Sequence, residues 1–107
     1  MQINISTKHT ELTPTIEEYA LKKANRLTRY FDRTESIELI LDKTKNSHEI
    51  EIIVTIEHSD PIIARAESTD LYACIDLCID RATRQLTDHK SKLRDSKHNP
   101  PMGGSKP

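Results

Sequence analysis

Apolar and polar residues alternate in four short stretches of the chain, and apolar residues recur at helical spacing in two longer ones. Gln2 to Ser6 sets Ile3 and Ile5 on one side, as a short strand does. Glu35 to Asp42 repeats the pattern with Ile37, Leu39 and Leu41, and Glu49 to Glu57 with Ile50, Ile52, Val54 and Ile56. A turn at His58-Ser59-Asp60-Pro61 leads into a fourth strand, Ile62 to Glu67. Thr13-Pro14 opens the first helix, with Thr as N-cap, Pro at the first helical position, and Glu17 and Glu18 where the helix dipole favours anions. That helix is expected to run to about Phe31, burying Ile16, Ala20, Ala24, Leu27 and Phe31, with Tyr19 and Tyr30 at one edge. Thr69 or Asp70 caps the second helix, Asp70 to Leu93. Its Leu71, Ile75, Cys78, Ala82, Leu86 and Leu93 fall within about a 100° arc.

The resulting order, β-α-β-β-β-α, predicts an α+β fold. A strand, a helix and a strand imply a parallel pair, and the short links that follow imply antiparallel neighbours. Because each strand has one apolar face, both helices should lie on one side of a four-stranded mixed sheet. Residues 1–94 form one domain. After Leu93 the apolar period stops, and 95–107 (DSKHNPPMGGSKP) is expected to be a flexible C-terminal tail.

Charge sharpens this picture. The formal net charge is −1, so an anion-binding face can arise only by segregation. Glu38, Asp42, Glu49, Glu51, Glu57 and Glu67 stand at the polar positions of the strands, on the sheet face away from the helices. Lys22, Arg26, Arg29 and Arg33, spaced 4, 3 and 4 apart, line one flank of the first helix, roughly 130° from its apolar centre. Lys23 lies nearer the buried edge and can snorkel outward. The second helix is acidic in front, with Asp70, Asp76 and Asp80. Behind come Arg81, Arg84, Lys90, Lys92 and Arg94, interrupted by Asp88. Packed side by side, the helices would join these cations into one phosphate-tracking surface. Aromatic residues make up 4% of the chain and Trp is absent, so stacking on unpaired bases is not the main recognition mode.

Other chemistries find little support. There is no glycine-rich phosphate loop and no nucleophile-base arrangement, so no catalytic residue is assigned. Cys74 and Cys78, four apart on one helix, read as reduced, partly buried thiols. No histidine completes a metal site with them, and no cofactor is implied. His89 falls on the apolar stripe, as a partly buried, hydrogen-bonded side chain, and His9, His48 and His58 carry no signal of their own. MQINIS is not a signal peptide, and no apolar run is long enough to span a bilayer, which points to a soluble, cytoplasmic protein with no membrane partner.

The opening MQINIS, the block LTPTIEEYALKKANRL followed by RYFDR, and the run DLYACIDLCIDRATRQLTDHKSKL resemble the short ribosome hibernation promoting factors and ribosome-associated inhibitors of bacteria, also called the sigma-54 modulation protein family. The resemblance covers residues 1 to about 94. It implies a fold like a double-stranded RNA-binding domain with an added strand. It also implies binding to the small ribosomal subunit, its 16S rRNA and neighbouring proteins, in the mRNA and tRNA channel near the decoding site. There such proteins inhibit translation in stationary phase or stress, and short forms help ribosomes pair into inactive dimers. Carried over by position, the rRNA contacts would be Lys22, Lys23, Arg26 and Arg29, then Arg81, Arg84, Lys90 and Lys92, with Gln85 as a polar partner. Arg33 joins this set from the spacing alone.

Three features depart from the family pattern. Asp88 stands where relatives commonly carry Lys, Cys74 and Cys78 replace small or aliphatic residues, and the dimerisation domain of long forms is missing. The chain is therefore expected to be a monomer off the ribosome, with no small-molecule substrate. Two binding alternatives stay open: a general double-stranded RNA-binding module, and a protein-contacting modulator of transcription. A small enzyme is the least supported.

Overall fold

A computed structural model describes residues 2–29 and 33–98, with side chains of the last helix described as far as His89. The elements are β1 (Gln2–Lys8), α1 (Pro14–Asn25), a 3-10 turn (Arg26–Arg29), β2 (Thr34–Lys43), β3 (His48–Ile56), β4 (Ile62–Ser68) and α2 (Leu71–His98). The sheet order is β1-β2-β3-β4, with β1 parallel to β2 and the other neighbours antiparallel. This is the expected α+β architecture, with strand boundaries moved by one or two residues.

The alternation read from the sequence decides which face is covered. Ile37, Leu39 and Leu41 of β2, Ile50, Ile52, Val54 and Ile56 of β3, and Ile62, Ala64 and Ala66 of β4 are buried under the helices. Ile3 and Ile5, on an edge strand, are only half-buried. α1 contributes Ile16, Ala20 and Ala24 to the same core, the 3-10 turn Leu27, and α2 contributes Cys74, Ile75, Cys78, Ile79, Ala82 and Leu86. Small residues on both helices let their backbones lie close to the sheet and to each other. α2 packs over β3 and β4, while α1 packs on β1 and alongside α2.

Both helix starts form as the sequence implies. The Thr13 hydroxyl accepts the Ile16 N–H at 3.2 Å, and the Asp70 carboxylate accepts that of Ala73 at 3.2 Å. The first helix, however, ends at Asn25 and not near Phe31. Arg26 to Arg29 tighten into a 3-10 turn, within which the Thr28 hydroxyl donates to the Asn25 carbonyl at 2.8 Å. Tyr30 and Phe31 lie outside the described residues. The second helix continues past Leu93 to His98, so the segment expected to be a tail begins as helix, and 99–107 lie outside the described residues.

Cys74 and Cys78 sit fully buried where α2 crosses β3 and β4. The Cys74 thiol reaches the His48 and Ala66 carbonyls at 3.4 and 3.5 Å, and Cys78 reaches those of Ile50 and Ala64 at 3.6 and 3.7 Å. Burial raises both thiols, and Cys78 is pushed up to about 12. The folded protein should therefore resist an aromatic disulfide reagent at pH 8, and both thiols should react promptly once guanidinium unfolds it. Rapid labelling of the native chain would contradict this packing.

Candidate nucleic-acid interface

The cations expected to form one surface are divided by the geometry of the helical layer. α1 and α2 run in the same sense, since Tyr19 of α1 meets Tyr72 of α2 and, one turn further along each, Lys23 meets Asp76. The Tyr19 hydroxyl donates to the Asp76 carboxylate at 2.7 Å, and the Lys23 ammonium stands 3.5 Å from the same oxygen. That ammonium also lies 5.4 Å from the centre of the Tyr19 ring, while Tyr72 meets Tyr19 edge-on at 4.9 Å. The hydrogen bond to Asp76 holds the Tyr19 phenol above its ordinary pKa. Lys23 is thus locally neutralised at the seam between the helices, whereas Lys22, Arg26 and Arg29 on the same side are exposed.

Arg81 and Gln85 occupy the opposite flank of α2. The Arg81 guanidinium donates to the Arg65 carbonyl at 2.7 Å and the Gln85 amide to the Ile63 carbonyl at 3.0 Å. Both side chains therefore fasten α2 to β4, the edge strand of the sheet, where unsatisfied carbonyls would otherwise offer a template to another strand. Arg84, between the two flanks, is exposed with no partner among the described residues, and Asp88 is exposed on the Arg81 side. Arg33 lies beyond the 3-10 turn, where its carbonyl accepts the Glu57 N–H at 2.9 Å, so it does not extend the α1 stripe by helical geometry. The side chains of Lys90 and Lys92 lie outside the described residues.

Among the described residues, the exposed cations on the helical layer are therefore Lys22, Arg26, Arg29 and Arg84, with Arg81 at the margin. Residue periodicity does not predict the network of Tyr19, Tyr72 and Asp76. Asp76 lies on the α2 flank that faces α1, but only the parallel run of the helices tells which α1 residues it meets. His89 is half-buried and lies 3.3 Å from the Ser59 hydroxyl. Among the described residues, no three metal-ligating side chains come together, and no helix is long and apolar enough to cross a membrane.

The sequence model of the family described as Sigma 54 modulation protein / S30EA ribosomal protein matches residues 3–94. The chain belongs to this family. Among its relatives is a ribosome hibernation promoting factor of Azotobacter vinelandii, 38% identical over 92 residues, covering 86% of this chain and 85% of that protein. Another is a ribosome hibernation promoting factor of Escherichia coli K12, 37% identical over 94 residues, covering 88% of this chain and 98% of that one. The solved structure of a ribosomal subunit interface protein from Coxiella burnetii superposes with a TM-score of 0.79 at 27% identity, covering 85% of this chain and 99% of that one.

The two arginines of α2 should separate in a stability measurement. Arg81→Met removes the bond to β4 and should lower the unfolding free energy in urea by about 1 kcal/mol. Arg84→Met should change it by less than about 0.5 kcal/mol. Equal effects would mean that Arg81 does not hold the sheet edge.

Proposed function

We propose that this protein is a ribosome hibernation factor acting in the cytoplasm. It binds the small ribosomal subunit through its helical layer and occupies the mRNA and tRNA channel near the decoding site. Translation then stops by competition for space, and the occupied ribosomes are held ready for pairing into inactive dimers. The observation that carries this reading is the segregation of charge. Lys22, Arg26, Arg29 and Arg84 are exposed over the helices, while Glu38, Asp42, Glu49, Glu51 and Glu67 stand on the other side of the sheet. In a chain of net charge −1, Lys22, Arg26 and Arg29 cluster at the end of α1 and in the turn after it. They offer phosphate a local site, although Glu17, Glu18, Asp80 and Asp88 are also exposed on the helices.

Within the proposed contact set, Arg26, Arg29 and Arg84 act as exposed phosphate ligands beside Lys22, with Lys90 and Lys92 continuing along α2. Arg81 and Gln85 contribute at the margin, since each already bonds a β4 carbonyl. Lys23 serves chiefly to join the helices through Asp76. Arg33 adds charge at the start of β2.

Binding of this kind weakens steeply with salt, by a slope of about −0.7 to −0.9 in log K against log salt for each phosphate neutralised. The variant Arg26→Glu/Arg29→Glu/Arg84→Glu leaves the β4 edge untouched and should no longer co-sediment with small subunits. The unmodified chain should prefer subunits to a plain RNA duplex in competition. Retained co-sedimentation of the triple variant, or equal binding to the duplex, would refute the reading.

A further inference from the structure

The open face of the sheet is not simply a solvated surface. The strand register sets Ile53 directly opposite Ile63, with Ile40 of β2 diagonal to Ile53. Such neighbours lie within reach of one another across a sheet. Ile63 is 44% exposed, although the opposite face of the same strand is buried. Acid surrounds this apolar diagonal. Glu38 stands beside Ile53 in its row, and Glu51 beside Ile40. The next row sets Asp42 against Glu49 and Glu49 against Glu67. Lys8, His9 and Arg65 stand among these five carboxylates, with Arg65 tied to Glu51 at 2.8 Å and the His9 imidazole 2.9 Å from the Asp42 carboxylate. A concavity of about 500 Å³ opens beside the diagonal, lined by Asp42, Glu49, Glu51 and Glu67 with Ile40, and by Lys8, Arg65 and Arg81.

An aliphatic diagonal bordered by carboxylates has a specific complement. Lys and Arg side chains combine an apolar stem with a cationic head, so the stem can lie over the isoleucines while the head reaches the flanking acids. RNA has the opposite character, because its phosphates meet the carboxylates as like charges. We propose that the open sheet face is a second docking surface, which takes a lysine- and arginine-rich protein segment. Resting on the function proposed above, this means that the factor meets RNA with its helices and a basic protein extension with its sheet. The two faces together fix its orientation in the channel.

The test uses two substrates, intact small subunits and protein-free 16S rRNA, and the variant Glu38→Lys/Glu67→Lys, whose two sites are exposed. Unchanged thermal unfolding verifies its fold. On protein-free RNA the added cations should tighten binding. On intact subunits the same variant should bind at least about tenfold more weakly, because like charges then face each other across the interface. Ile63→Ser should weaken binding to subunits and leave binding to protein-free RNA unchanged. Equal or tighter binding of the lysine variant to subunits overturns the proposal, and so does weakening on both substrates. The Arg26→Glu/Arg29→Glu/Arg84→Glu variant keeps the two claims apart. If it still binds both substrates, the RNA-binding reading fails. If it loses both while the lysine variant binds subunits normally, only the sheet-face proposal fails.

Discussion

The burial of one sheet face under two helices is the constraint from which the rest of the molecule follows. Strand side chains alternate between faces, so once Ile37, Leu39 and Leu41, and Ile50, Ile52 and Val54, turn toward the helices, their neighbours have no choice of side. Glu38, Asp42, Glu49 and Glu51 must then point away from the helical layer. A one-residue slip of β2 against β3 would place these acids in the core and the isoleucines in water, a cost far larger than any surface interaction could offset. Packing therefore sorts the charges, and the electrostatic character of the protein is a by-product of its hydrophobic register.

The same constraint explains how much could be read from the sequence. Strand order and the inward residues follow from a strict period of two. The helix starts follow from side chains that bond their own backbone, Thr13 to Ile16 and Asp70 to Ala73. What the period could not convey was the end of α1. There the chain tightens into a 3-10 turn, so that Arg26 and Arg29 leave the spacing of the α-helical stripe. Residue spacing also could not say which flank of α2 faces α1. Arg81 and Arg84 are three positions apart and chemically alike, yet one bonds the edge strand and the other is exposed. That difference depends on where β4 lies in three dimensions.

The seam between the helices shows a related trade. A purely basic groove would repel itself, and holding two cationic helices side by side costs energy that core packing must offset. Asp76 lowers that cost by accepting both the Tyr19 hydroxyl and the Lys23 ammonium. The price is one fewer free cation. Lys23 is three-quarters or more covered, with 22% of its side chain exposed, while Lys22, one residue earlier, remains exposed. Adjacent lysines thus differ in place: Lys23 ties the helices together and Lys22 faces solvent.

Near-neutrality is consistent with this design. A strongly basic chain would be held by phosphate wherever it was found and in any orientation, since the electrostatic term does not depend on sequence. A chain with clustered cations on its helical layer and most of its strand acids on the open sheet is drawn to phosphate by one side more than the other, so charge biases its orientation before contact is made. The isoleucine alternation that buries the core is thus also what gives the molecule a front and a back.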